Sequence, residues 1–189
     1  MILKDNQLLK LNKGLEKRGE LLEKQKASLK SDSLSDVISE ENFIEEMQQS
    51  IQFANVAYNE NILYIEACNI VLRNVRDISF LEENRNEFMF QMRLHGMLEA
   101  GEEYVSGLES LTKELKENID LMQQHYELCL DNETTNNIEI AKEYHKQTKQ
   151  IIDGLEEKVK EVSIEDMAEE IGLISFGEKN EVCEEKGEE

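Results

Sequence analysis

The chain has 189 residues, neither proline nor tryptophan, and a formal net charge of −21 from 42 acidic and 21 basic side chains. Ala, Glu, Lys, Leu and Arg supply 44% of it, close to the roughly 50% that marks long helices and coiled coils. Leu, Ile, Val and Phe make up 28%, above the roughly 20% below which a charged chain stays unfolded, so disordered, collagen-like, disulfide-scaffold and all-β readings fall away.

Charge is unevenly spread: residues 1–30 carry +4, residues 31–130 carry −14 and residues 131–189 carry −11. The expected organisation is a basic N-terminal helix at 1–30, an acidic helical bundle or coiled-coil body at 31–177, and an acidic disordered tail at 178–189. In the first segment Leu8, Leu15, Leu22 and Leu29 recur every seven residues. The intervening d positions are Leu11, Arg18 and Gln25, too polar for a free-standing zipper, so the row is expected to dock on other helices.

Ser31, Asp32, Ser33, Ser35 and Asp36 make the first break, since their short side chains bond nearby backbone N–H groups. A second helix is predicted from about Glu40 to Arg76. Its stripe is Ile44, Met47, Ile51, Ala54, Tyr58, Ile62, Ile65, Cys68, Leu72 and Val75, in steps of three and four. Phe43, Phe53, Val56, Ile70 and Val71 widen it enough to face two neighbours.

Ser79-Phe80-Leu81-Glu82 has the form of a capping box, so a third helix is predicted to start there. Leu81, Phe88, Met92, His95 and Leu98 form its first stripe, and Val105, Leu108, Leu111, Leu115, Ile119, Met122, Tyr126 and Cys129 resume it. Unbroken from 79 to 130 it would span about 78 Å, with a bend expected near Gly101.

Asp131 to Asn137 reads as a polar loop. The fourth helix, about Ile138 to Val162, has the cleanest heptad: Ile138, Ala141, His145, Thr148, Ile152, Leu155, Val159 and Val162. Ser163 and Asp166 suggest a short helix through Ile171, ended by Gly172 and Gly177. The fold class expected is all-α: an elongated antiparallel helical bundle or coiled coil of about four long helices and one short C-terminal helix.

Motifs for chemistry are missing from the sequence. Neither phosphate-binding glycine pattern occurs, and H-E-x-x-H is absent. A di-iron bundle needs Glu three residues before His, yet Met92, Met122 and Lys142 precede His95, His125 and His145. An EF-hand starting at Asp131 would put Asn136 where the turn needs Gly and Lys142 where calcium needs a bidentate Glu. His125 and Cys129 share a helix face, but no second ligand pair is evident, so Cys129 reads as a buried thiol. Glu20–Lys24, Glu109–Lys113 and Glu156–Lys160 are i, i+4 pairs that support helices.

Catalytic residues, cofactors and metal ligands are therefore not expected, and the chain is read as a non-enzyme. The residues singled out are packing or interaction seams: Leu8, Leu15 and Leu22 in the first helix, and Ile138, Ile152, Leu155 and Val159 in the fourth. Neither a secretion signal nor an apolar run of transmembrane length is found, and three scattered cysteines suit a reducing compartment, so a cytoplasmic location is expected. The leading expectation is an interaction or assembly protein that self-associates as a homo-oligomer or docks a protein partner. The alternative is an acidic inhibitor or decoy, such as a phage counter-defence protein, whose carboxylates imitate a phosphate lattice for a basic nucleic-acid-binding protein. A helical-hairpin protein of a specialised secretion system ranks third. Direct nucleic-acid binding is disfavoured by the charge.

Overall fold

Side chains at three- and four-residue steps fall on one face of a helix, and such faces are buried by laying helices side by side. The structure, a computed structural model, describes residues 5–29, 38–82, 88–130 and 135–161. They form four helices: α1 (Asp5–Ser28), α2 (Phe43–Glu82), α3 (Phe88–Cys129) and α4 (Thr135–Glu161). Among the described residues there is no strand, and no helix is long and apolar enough to cross a membrane. The fold is an all-α four-helix bundle. The short helix expected after Ser163 and through Ile171, and the tail at 178–189, lie outside the described residues.

Cross-contacts set the directions. Arg76 of α2 meets Glu102 of α3 at 2.6 Å, whereas Met47 and Met122 share a core cluster, so α2 and α3 are antiparallel. Tyr104 reaches Lys158 while His125 reaches Asn137, so α3 and α4 are antiparallel as well. Arg18 pairs with Glu66 and Lys26 with Glu60, which runs α1 antiparallel to α2. Helices α2, α3 and α4 pack on one another; α1 lies against α2.

The stripe predicted for α2 is the one that packs. Met47, Ile51, Ala54, Ile65, Cys68, Leu72 and Val75 are buried, and Phe43, Val56 and Val71 widen the face. One cluster joins Ala54, Ile65 and Leu72 to Leu108, Leu115 and Leu155. A second joins Ile38, Phe43 and Met47 to Met122, Cys129 and Ala141. The start of α2 is held by Ser39, whose backbone N–H and hydroxyl donate to Glu46 at 2.5 and 2.8 Å, while the Asn42 N–H donates to the Ser39 hydroxyl at 3.3 Å. That clamp satisfies helix-start donors and seats Ile38 and Phe43 in the core.

Three expectations are corrected. Ser79 to Glu82 is the last turn of α2, not the start of α3, because nothing ahead of Ser79 stops the helix and a capping-box pattern also fits a helix interior. The 52-residue span therefore divides, and α3 has 42 residues, about 63 Å at ~1.5 Å per residue. It runs unbroken through Gly96, Gly101 and Gly107, since packing overrides the weak propensity of single glycines. The first turns of α3 also face differently. Met92 and His95 are exposed, and the inward row is Leu94, the half-buried Leu98, Gly101, Val105 and Leu108, which extends the downstream seam backwards at the same spacing. Finally, α4 begins at Thr135, so Thr135, Asn136 and Asn137 are its first turn and not part of a loop.

Candidate functional site

Buried polar side chains are the first place to look for chemistry, because each must find a partner or carry a desolvation cost. Between the two apolar clusters lies a layer built by three helices. Ser50 comes from α2, Asn118 from α3, and His145 and Thr148 from α4, and all four are buried. The Asn118 amide donates to Thr148 Oγ1 at 2.5 Å and to the Tyr144 carbonyl at 3.3 Å. The Thr148 hydroxyl donates to the same carbonyl at 2.8 Å, with Met122 Sδ 3.0 Å away. Ser50 Oγ donates to the Glu46 carbonyl at 3.0 Å and lies 2.9 Å from His145 Nδ1. With the single hydroxyl proton aimed at Glu46, the pair closes when Nδ1 carries the imidazole proton.

A Ser–His hydrogen bond resembles the start of a nucleophile–base relay, but such a pair needs an open face for a substrate. Ser50 and His145 are closed into the core. The hydroxyl also donates away from the ring. The layer instead fixes register: sliding α4 by one turn past α2 or α3 would orphan these groups in a low-dielectric interior. His125 and Cys129 behave alike. Cys129 Sγ sits 3.5 Å from His125 Nε2, and that nitrogen also meets the Asn137 carbonyl at 2.9 Å. A proton on Nε2 serves the carbonyl, so this nitrogen is no base for the thiol. Tyr144 packs edge-on against the same ring, with centroids 5.8 Å apart. Among the described residues, no group of three or more His, Cys, Asp or Glu side chains could hold a metal ion. His95 lies outside the core, 3.4 Å from Glu99 on its own helix.

The second feature is the seat of α1. Leu22 is buried, and Leu15 and Leu22 line a groove of about 570 Å³ with Leu63, Tyr64 and Val159. Lys26 and Lys160 stand at its rim beside Glu60 and Glu156. The hydrogen bond from Lys26 to Glu60 holds the ammonium above its usual range, against the opposing cost of burial. Helix α1 therefore packs against α2 through paired charges and the buried Leu22, with Leu15 along the same groove.

The singled-out seam residues are placed as follows. Leu22, Ile152 and Leu155 are buried; Leu15 and Val159 line the groove; Ile138 packs half-buried beside the Met122 cluster. Only the backbone of Leu8 falls in the described set. The structure brings Leu15, Leu22 and Val159 together and leaves Ile138 in the other cluster. Ser50, Asn118 and Thr112 were missed as core residues, although each sits at a three- or four-residue step within an apolar stripe, which is the signal that could have found them. Lys160 lies 4.0 Å from Glu156, as the sequence spacing suggests, whereas Lys113 turns to Glu117 at 3.6 Å.

No protein-family model matches the chain, and no match to it was found among curated proteins or solved structures.

Proposed function

We propose that the protein is a non-enzymatic helical module that works by binding another protein. What carries this reading is the outer face of α3. Leu121 is 46% exposed and Leu128 75% exposed, one heptad apart on the same face. Rows of large apolar side chains on an acidic helical surface are suited to burial by a partner. The buried polar side chains described above are engaged in holding helices in register, which fits a scaffold. The buried thiols Cys68 and Cys129 fit a reducing setting.

An inhibitor or decoy role is the second reading. Glu102, Glu103, Glu109, Glu114, Glu117 and Asp120 all stand exposed along α3, a row of carboxylates that could engage a basic groove. Affinity capture from the source lysate at low and moderate salt, with sedimentation of the chain alone, tests both readings. A stoichiometric protein partner is expected. A partner held through carboxylates leaves steeply as salt rises; one held through leucines does not. A chain that is monomeric and retains no protein at either salt overturns the proposal.

A further inference from the structure

A second groove, about 410 Å³, runs between α3 and α4, and none of its lining belongs to α1 or α2. Leu111, Asn118 and Ile151 lie along it, with Glu114, Glu117 and Leu121 on the α3 wall and Gln147 on the α4 wall. Leu128 is one heptad beyond Leu121, and Ile140 one heptad before Gln147, so both extend the groove along the same helix faces. Both are exposed, Ile140 by 37%. The result is an apolar strip leading from the groove toward the end of α3. Its flanks carry more acid than base: Glu114, Glu117 and Glu143 are exposed there, with Lys146 exposed one turn from Glu143. Lys113 beside Glu117 is itself solvated and screens little.

We propose that the α3/α4 groove receives a basic amphipathic helix of a partner protein. Its apolar side would cover Leu121 and Leu128, and its Lys or Arg side chains would meet Glu114, Glu117 and Glu143. A trough between two antiparallel helices accepts a third helix laid along it, and the heptad spacing of the leucines matches helical anchors. Charge decides the partner's chemistry. A second copy presenting this same face brings the same glutamates against themselves, and a nucleic acid brings phosphates; like charges facing one another oppose both. The basic α1 of a second copy is already seated on its own α2 through Arg18–Glu66 and Lys26–Glu60. This inference rests on the protein-binding reading above and adds a location and a partner class.

The test uses the full chain and a labelled peptide of Lys/Leu heptads, with a scrambled peptide of the same composition as control. Net charge attracts both peptides, so their ratio is the readout. The amphipathic peptide is expected to bind roughly tenfold tighter at ~0.15 M salt. Leu121→Ser with Leu128→Ser should erase that ratio while leaving the melting temperature within a few degrees, since both side chains are exposed. Glu114→Lys with Glu117→Lys should weaken the amphipathic peptide severalfold. Equal binding of the two peptides, or an undiminished ratio in the serine variant, overturns the proposal. Concentration-dependent self-association that disappears in the serine variant also overturns it, and assigns the face to a second copy. If the serine variant captures the same lysate protein as the wild type, protein binding stands and this location falls. If the wild type captures none, the functional reading itself fails.

Discussion

At the residue scale, burial and hydrogen bonding separate side chains that look alike in the sequence. Leu155 is almost fully enclosed between α3 and α2, so Leu155→Ala should destabilise the bundle by about 2–5 kcal/mol in denaturant titrations. Two threonines of α3 and α4 make a sharper comparison. Thr148 is bonded to both Asn118 and Tyr144, so Thr148→Val leaves the Asn118 amide short of an acceptor and should cost about 1–3 kcal/mol. Thr112 Oγ1 is buried with no hydrogen-bond partner, so Thr112→Val should be neutral or stabilising by up to about 1 kcal/mol. Equal losses at the two positions would contradict the assigned network. Cys68 supplies a pH signature. Desolvation pushes its thiol up to about 11 from 9.0. The folded state therefore favours the neutral thiol. That stability is complete below pH 9 and falls as pH rises toward 11, where the unfolded chain releases the proton more readily. A disulfide reagent should accordingly label Cys68 slowly at about pH 8 in the native chain and rapidly after denaturation.

At the element scale, helices are set more by their partners than by their own propensity. The glycines of α3 show this, because Gly107 sits where the Lys158 side chain crosses, and a Cβ there would come within 2.8 Å of Lys158 Nζ. The flexible end of a lysine can move, so the crossing tolerates an alanine but not a large side chain. Gly154 in α4 has no such neighbour, with nothing within 4 Å of an added Cβ. Gly154→Ala should therefore stabilise by about 0.5–1 kcal/mol in thermal melts, from backbone entropy alone. The end of α4 is closed from outside: Tyr104 Oη donates to the Lys158 carbonyl at 2.9 Å, and Lys158 and Lys160 complement the negative end of the helix dipole. α1 is different, since α2 is the helix it packs against and its charges are part-solvated. Arg18→Glu with Lys26→Glu should raise amide exchange in α1 while moving the global melting temperature little. Exposed pairs are worth only about 0.2–1 kcal/mol each.

At the scale of the whole molecule, a net charge of −21 repels itself when compacted. Raising salt from about 0.02 to 0.5 M should therefore raise the melting temperature of the bundle, because screening relieves that repulsion. The same salt weakens the α1–α2 ion pairs, so exchange in α1 should rise over the range in which the bundle gains stability. Opposite responses of arm and body are the expected outcome, and parallel responses would mean that the arm's charges do not hold it. The uneven charge along the sequence thus has a mechanical reading: the basic side chains Arg18 and Lys26 of α1 pair with acids of α2, and among the described residues α1 contributes nothing to the lining of the α3/α4 groove.

Helix content and the seam of α2 were legible in the sequence, because hydrophobic periodicity is local and each stripe of three- and four-residue steps demands a helical face. The same locality explains the errors. Ser79–Glu82 reads alike at a helix start and inside one, and Met92 and His95 fit a stripe that the downstream seam displaces by one position. Which polar side chains are core was a tertiary decision. Ser50 meets His145 across 95 positions of chain, and Asn118 meets Thr148 across 30, distances over which no spacing rule speaks. The leucines at 121 and 128 were likewise visible as residues, but only the packing of α3 against α2 and α4 turned them outward. The sequence by itself determined that long amphipathic helices would form; the pairing of those helices decided which apolar side chains were left over for a partner.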